Sequence, residues 1–485
     1  MKQSLSICLL IAMLASLASC GGDAPAAETT ASGGTTETTT AAETEPPYPE
    51  YDLDGGGRAF RMIYFDAVAA YGWSSEIPCD IEEAEITGDV LSDAVYNRNR
   101  KIEEMYNISF EAISTKEEFH TTFRTSVLAG ASEYDAAFPV WNGITATITE
   151  GTLLPLNDLI DNTKPWWDSK ADNAFSVSGK TYAMTGDMLF MDKFSDIIIM
   201  FNKNMAEDFK LGDIYKMVVD KKWTFDKMVE MCEIVSADID GDGLFEVYEG
   251  DRIAYSGQND VMYELFQASG EQVGRLDKDG VPYFSCSNER SLDIIMKIVD
   301  FMNSEHLFTN RHLTGGSVSD IVNSFKANNI LFFMRPMQTI LELRNMEADF
   351  GIIPAPLMDD QQKEYYTSIG YTAAISAAIP ADAKDPEFSA AVLDTMAAEA
   401  HYNVNPVLYD MVLGDKISRD EYSTENLDII FNSVVYDPGC IYNFGGFASK
   451  FLKMYTDGSD AVASTIASYE EPVKLAIEAY MDAIK

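Results

Sequence analysis

The sequence predicts an α/β fold with parallel sheets covered by helices, and three observations carry that reading. From Phe60 onward, short apolar runs alternate with longer segments whose apolar residues recur at helical spacing. The 485 residues suffice for two or three domains, and 46% hydrophobic with 11% aromatic content is that of a globular chain. No later segment reaches the 18 or so apolar residues of a membrane-crossing helix.

The first element is not part of the fold. Lys2 is followed by an unbroken run of apolar and small residues from Ile7 to Ala18, then Leu17-Ala18-Ser19-Cys20. That run is too short to span a bilayer and fits a secretory signal peptide at 1–19. The Leu-Ala-Ser-Cys sequence resembles the bacterial lipobox, which implies lipidation of Cys20 as the new N-terminus. Residues 20–49 follow as a tether carrying eight threonines and no apolar residue large enough to enter a core before Tyr48, so they are expected to stay extended.

Within the body, Phe60–Phe65 reads as a strand, Asp89–Tyr106 as a helix, Ile108–Ala112 as a strand and Glu117–Ala129 as a helix. Tyr134–Pro139 is a short apolar strand, and Trp141–Glu150 reads as a helix. The alternation resumes with the strand Asp196–Phe201, helices at Lys203–Phe209, Thr224–Ala237, Asn288–Asn303 and Ser317–Ala327, and the strand Ile330–Met334. Phe350–Pro354 and Tyr371–Ile379 are apolar segments, and Asp385–Ala400 is a helix.

Charge excludes several functions. With 78 acidic against 35 basic residues the formal charge is −43, which opposes binding to nucleic-acid phosphates or to anionic lipid through a basic patch. Membrane contact is therefore expected through the lipid alone. Cys79, Cys232, Cys286 and Cys440 lie far apart with no CxxC spacing, so buried free thiols are the default, with three pairings open if they bridge. His120, His306, His312 and His401 form no HExxH pair, and no nucleophile elbow, Walker loop or dinucleotide fingerprint occurs, so no catalytic residue is assigned.

One acidic loop stands out. Asp238, Asp240, Asp242, Gly243, Glu246 and Glu249 fall at positions one, three, five, six, nine and twelve of the calcium-loop template. A hard cation needs six to eight oxygens, and this spacing offers three Asp carboxylates, the Leu244 carbonyl, Glu246 and a bidentate Glu249. Gly250-Asp251-Arg252 speaks against a continuous outgoing helix, so a single structural Ca2+ clamp is expected, not a paired sensor.

Several sequences then occur in one order: Gly88–Asn107, Leu154–Asp158, Pro165-Trp-Trp-Asp168, Phe201-Asn-Lys203, Lys222–Lys227, the acidic loop, Phe350–Pro354, Ser418–Glu421 and Leu427–Ile429. Together they resemble the family-1 extracellular solute-binding proteins of ABC importers, lipoproteins of Gram-positive bacteria. The resemblance implies a two-lobed, type II periplasmic-binding-protein-like fold with an interlobe ligand cleft. By analogy, lobe 1 is 50–164 plus 332–372 and lobe 2 is 165–331 plus 373–485. It further implies a monomer that closes on a carbohydrate, an oligosaccharide, and hands it to ABC permease subunits. Two other readings stay open: a surface lipoprotein acting on glycans enzymatically, and a structural or adhesive lipoprotein braced by calcium.

Sugar recognition needs flat apolar faces and planar polar groups. Trp141 and Asn142 follow the strand Tyr134–Pro139, whose carboxyl end is expected to face the cleft. Arg335 lies just past Ile330–Met334, Asp187 follows Tyr182–Gly186 near the entry to the second lobe, and Tyr371 follows Gly370 at a crossover. These five are the expected ligand contacts. Trp166-Trp167 is read as crossover packing, and Tyr442–Gly446 as a loop near the ligand.

Overall fold

Strand β1 (Arg58–Phe65) buries Phe60, Met62, Ile63 and Phe65 and lies between two parallel neighbours, β2 (Ile108–Thr115) and β3 (Ala136–Phe138). The protein is seen here as a computed structural model, which describes residues 48–485 except 72–76, 117, 244, 246–250, 310–311, 313–317, 344–345 and 414–419. The signal peptide, Cys20 and nearly all of the tether lie outside the described residues, as do Leu244, Glu246 and Glu249.

The helix preceding β2, Val90–Tyr106, starts where Asp89 accepts the backbone N–H groups of Leu91 and Ser92. Its Arg98 is 2% exposed and donates to the carbonyls of Asp80 (2.8 Å) and Ile81 (3.1 Å), while Asn99 donates to Ile81 (2.9 Å). These side chains tie the otherwise irregular 77–83 segment to the sheet.

Two short hairpins punctuate the second half: β4 (Ser176–Val177) with β5 (Lys180–Thr181), and β8 (Gly274–Leu276) with β9 (Pro282–Phe284). The larger sheet holds β6 (Ile197–Asn202), β7 (Ile253–Gly257), β10 (Leu307–Thr309), β11 (Ile330–Pro336) and β12 (Phe350–Ile353) in the order β10-β7-β11-β6-β12. β7, β10 and β11 run parallel, and β6 runs antiparallel to both β11 and β12. β6 is buried along its whole length, as its Ile-Ile-Ile-Met-Phe run requires of a strand covered on both faces.

Two segments run side by side between the sheets: Met184 pairs with Ala377 at one end and Asp196 with Ile369 at the other. A third strand of chain joins at Val434, bridged to Thr367. These are the crossovers.

Pairing corrects the expected lobe boundaries. β11 and β12, both within 332–372 or overlapping it, are hydrogen-bonded into the larger sheet through β6. Conversely, Ile375, Ala378 and Pro380 pair with Val140, Ala137 and Leu153 beside the first sheet. The helix Pro386–Asn403 follows them there, with Thr395 bonded to Tyr106 at 2.7 Å. The analogy misplaced the crossover because apolar segments of similar character lie on both sides of it.

The expected helix at Trp141–Glu150 is also shorter, Ile144–Thr149, with Trp141 and Asn142 in the turn before it. The four cysteines among the described residues are free, with Cys232, Cys286 and Cys440 buried and Cys79 half-buried.

Candidate functional site

Ligands of α/β proteins gather at the carboxyl ends of parallel strands. At the end of β1 the structure opens a cavity of about 440 Å³, lined among others by Phe65, Asp66, Val68, Ile77, Ala373 and Ile375. That volume is within the range of small-molecule pockets, and the wall is chiefly apolar. Asp66 is held by the backbone N–H of Ala69 (2.9 Å) and the Ser114 hydroxyl (2.9 Å).

Past the end of β3, Trp141 is fully buried, its ring 5.1 Å from Phe175 and 5.8 Å from Tyr436. Its indole N–H has no hydrogen-bond partner. Asn142 is exposed, and its carbonyl meets the His120 ring at 2.9 Å.

The larger sheet concentrates unpartnered groups at the same kind of edge. Thr309 ends β10, Arg335 lies near the end of β11, and the helix Val261–Ala268 starts just past β7. The Thr309 hydroxyl, Arg335 Nε, Glu264 Oε2 and both amide atoms of Gln267 are buried with no partner at hydrogen-bond distance, the Gln267 amide facing Tyr263 and Asp437 at longer range. Leaving such groups dry and unpaired is costly, so a cluster of them marks a place built to be completed. Burial holds the Glu264 carboxyl well above its usual range, with Asp260 adding to the shift and Arg335 opposing it. Burial likewise lowers Arg335, against the pull of Glu264, Glu342 and Asp260.

Tyr371 connects the two edges. Its ring meets Tyr263 edge-on at 5.0 Å, and the Tyr263 hydroxyl donates to the Ile369 carbonyl at 3.3 Å. On the other side the Tyr71 hydroxyl donates to the Thr372 carbonyl at 2.9 Å. Burial raises the Tyr371 phenol, and the nearby charges of Asp260 and Asp437 push the same way.

The five expected contacts thus divide. Arg335 and Tyr371 share one neighbourhood with Asp260, and Trp141 approaches it through Tyr436, which adjoins Asp437 in the chain. Asp187 is turned elsewhere, its carboxylate 2.5 Å from His401 Nδ1. Trp166 and Trp167 are buried packing residues, both bonded to Asp394. Sequence reasoning missed Glu264, Gln267 and Thr309. Their only signal is polar residues embedded in apolar runs such as Val-Met-Tyr-Glu-Leu-Phe-Gln-Ala.

In the acidic loop, Asp238 accepts the N–H of Gly241 (2.7 Å) and Gly243 (2.8 Å), and Asp240 accepts that of Asp242 (3.1 Å). Among the described residues, the third carboxylate converging with Asp238 and Asp240, within 4.8 Å, is Asp251. Asp242 is not in that group. Ala237 and Arg252, on either side of the loop, form a bridge, and β7 begins at Ile253.

No protein-family model and no curated protein matches the chain. Solved structures do. An ABC substrate-binding protein from Listeria monocytogenes in complex with cycloalternan is 12% identical, with a TM-score of 0.52 over 88% of this chain and 99% of that one. The fold is that of the ABC-importer substrate-binding proteins. The cyclic alpha-maltosyl-1,6-maltose binding protein from Arthrobacter globiformis aligns at 13% identity and TM-score 0.55, covering 89% of this chain and all of its own. A solute-binding protein from Thermotoga lettingae bound with alpha-D-tagatose aligns at 15% identity and TM-score 0.53, over 88% of this chain. A substrate-binding-protein fold of this kind has two domains, in keeping with the two sheets and their crossovers. No helix among the described residues is long and apolar enough to cross a membrane.

Proposed function

We propose that this chain is a lipid-anchored extracellular solute-binding protein that captures an oligosaccharide by lobe closure and delivers it to an ABC importer. The observation that carries the reading is the set of buried, unpartnered hydrogen-bonding groups on Thr309, Glu264, Gln267 and Arg335 at the carboxyl edge of the larger sheet. A polyhydroxylated ligand offers both donors and acceptors in quantity and is suited to complete them. The apolar cavity at β1 suits the C–H faces of sugar rings. Tyr371, standing between the two edges, lets ligand contact on one side bear on the other, which is what closure on a bridging ligand requires. The role is binding without turnover, with the energy of import supplied by partner subunits.

Anchoring rests on the Leu-Ala-Ser-Cys20 sequence. Exchange of Cys20 for Ser is expected to release the protein into the medium. Titration calorimetry against linear and cyclic oligosaccharides tests the ligand class; binding of a peptide or polyamine, with no sugar bound, would replace it.

The acidic loop we read as a structural Ca2+ site drawing on Asp238 and Asp240, with Asp251 as the nearest further carboxylate. Calcium there would brace the connection between the helix Phe225–Val235 and β7. Equilibrium dialysis with calcium tests it, with Asp240→Asn expected to weaken uptake.

A further inference from the structure

A second cavity, polar and about 140 Å³ in volume, lies within the crossover. Asp168, Asp192, Lys193, Asp196, Tyr409 and Tyr436 line it, and the exposed Asp428 adds to its acidic wall. Four carboxylates therefore face one ammonium group.

The carboxylates differ in how they are satisfied. Asp168 caps the helix Ser169–Phe175 through the N–H groups of Lys170 (2.9 Å) and Ala171 (3.0 Å), and its other oxygen accepts the Tyr436 hydroxyl (2.8 Å). Asp192 accepts the Thr185 hydroxyl (3.1 Å) and the Lys193 N–H (2.6 Å). Asp196 is 3% exposed, lines the cavity, and makes no side-chain hydrogen bond or ion pair among the described residues. The Lys193 ammonium reaches no carboxylate at ion-pair distance among those residues, acting on Asp192, Asp187 and Asp196 only through space. A buried carboxylate without a partner is held at high cost unless something outside the chain compensates it.

We propose that this crossover cavity binds a small hydrated inorganic cation, with Asp196 as its principal carboxylate. The cation is hydrated because the cavity carboxylates do not converge. Among the described residues, the only three whose ligand atoms lie within 4.8 Å of one another are those of the distant acidic loop. The volume leaves room for several waters beside the ion, each taking about 30 Å³ in the liquid. Burial pushes Asp196 well above the usual carboxylate range and Asp192 up to about 6, with the Lys193 charge opposing both shifts without cancelling either. The ion would join the segment that enters β6 to the chain around Asn432–Tyr436, two of the three connections between the sheets.

Thermal unfolding of the full chain in choline chloride, against potassium or magnesium chloride at matched ionic strength, tests the proposal. Magnesium, potassium or both are expected to raise the melting temperature by several degrees, equally in wild type and in an Asp238→Asn/Asp240→Asn variant that disables the acidic loop. Asp196→Asn is expected to unfold later than wild type in choline and to lose the response. Equal melting of wild type in all three salts, or a full response in Asp196→Asn, overturns it. Electron paramagnetic resonance of Mn2+ titrated into the Asp238→Asn/Asp240→Asn variant needs no change at Asp196: one bound ion supports the site, and no bound Mn2+ together with no stabilisation by potassium overturns it.

Discussion

Asp394 accepts the indole N–H of Trp166 (2.7 Å) and Trp167 (2.8 Å) on one oxygen and the Tyr51 hydroxyl (2.8 Å) on the other. Arg335, Glu264, Gln267 and Thr309, equally buried, keep atoms with no partner at hydrogen-bond distance. Both regions place polar groups in the core, yet one is complete within the chain and the other is not. The first is a joint: it fastens the N-terminal segment and the 165–168 turn to the helix Pro386–Asn403. The second borders the carboxyl edge of the larger sheet, the edge at which α/β proteins gather their ligands, and its incompleteness suits the binding surface proposed there.

Asp394→Ala should separate the two most widely. It strands two indole N–H groups and is expected to cost about 3–5 kcal/mol in urea unfolding, while ligand affinity per folded molecule stays unchanged.

Next in size is a pH effect on an intermediate case, Asp172. One of its oxygens accepts the Thr185 N–H (3.2 Å) and the other is buried and unpaired. Burial raises its folded pKa from 3.8 to about 8, so the fold favours the protonated acid. Its stabilising contribution is full below about pH 4 and is lost as pH rises through about 8, on the order of a few kcal/mol. Unfolding free energy measured across that window should fall for wild type and fall less for Asp172→Asn.

Arg335→Met reverses the pattern of Asp394→Ala. Calorimetry should show ligand affinity reduced about ten- to a hundredfold, with a smaller loss of stability than the joint variant suffers. Trp141→Phe removes an unpaired N–H together with one ring of the buried indole, leaving a void beside Phe175 and Tyr436. Its stability should fall by about 1–2 kcal/mol, less than for Asp394→Ala, and affinity should drop about tenfold or less.

How much was legible in the sequence follows from the same contrast. The motifs that carried the family resemblance turn out to be joints. Trp223 donates to the Pro354 carbonyl at 2.9 Å, linking the Lys-Trp-Thr-Phe and Phe-Gly-Ile-Ile-Pro segments. Gly351 lies where a side chain would collide with Tyr215 and Phe201. Lys203 pairs with Asp420, which caps the helix Glu421–Asn432, and Ser423 and Asn426 of that helix bind the backbone of β12. Such contacts are local signatures with fixed chemistry, so the fold could be read from them. The strand alternation held for the same reason, since apolar period and caps are written residue by residue.

The site was harder. Arg335 and Tyr371 could be proposed from sequence because each follows a recognisable strand or crossover signal. Glu264 and Gln267 sit on a helix buried on every side, where nothing in the periodicity separates a binding face from a packing face. Asp187 looked equivalent to Arg335 in sequence, but its partner His401 is more than two hundred residues away. Lobe boundaries were misplaced because the pairings of Ile375, Ala378 and Pro380 with Val140, Ala137 and Leu153 join residues more than two hundred positions apart, which composition does not register.

The central claim is that the unpaired groups at the larger sheet's carboxyl edge are completed by a carbohydrate. Isothermal titration of oligosaccharides into wild type and Arg335→Met tests it directly. The account predicts one saturable site in wild type for at least one oligosaccharide and a marked loss of that affinity in the variant. Binding equally tight in the two proteins, or no heat with any sugar, would contradict it.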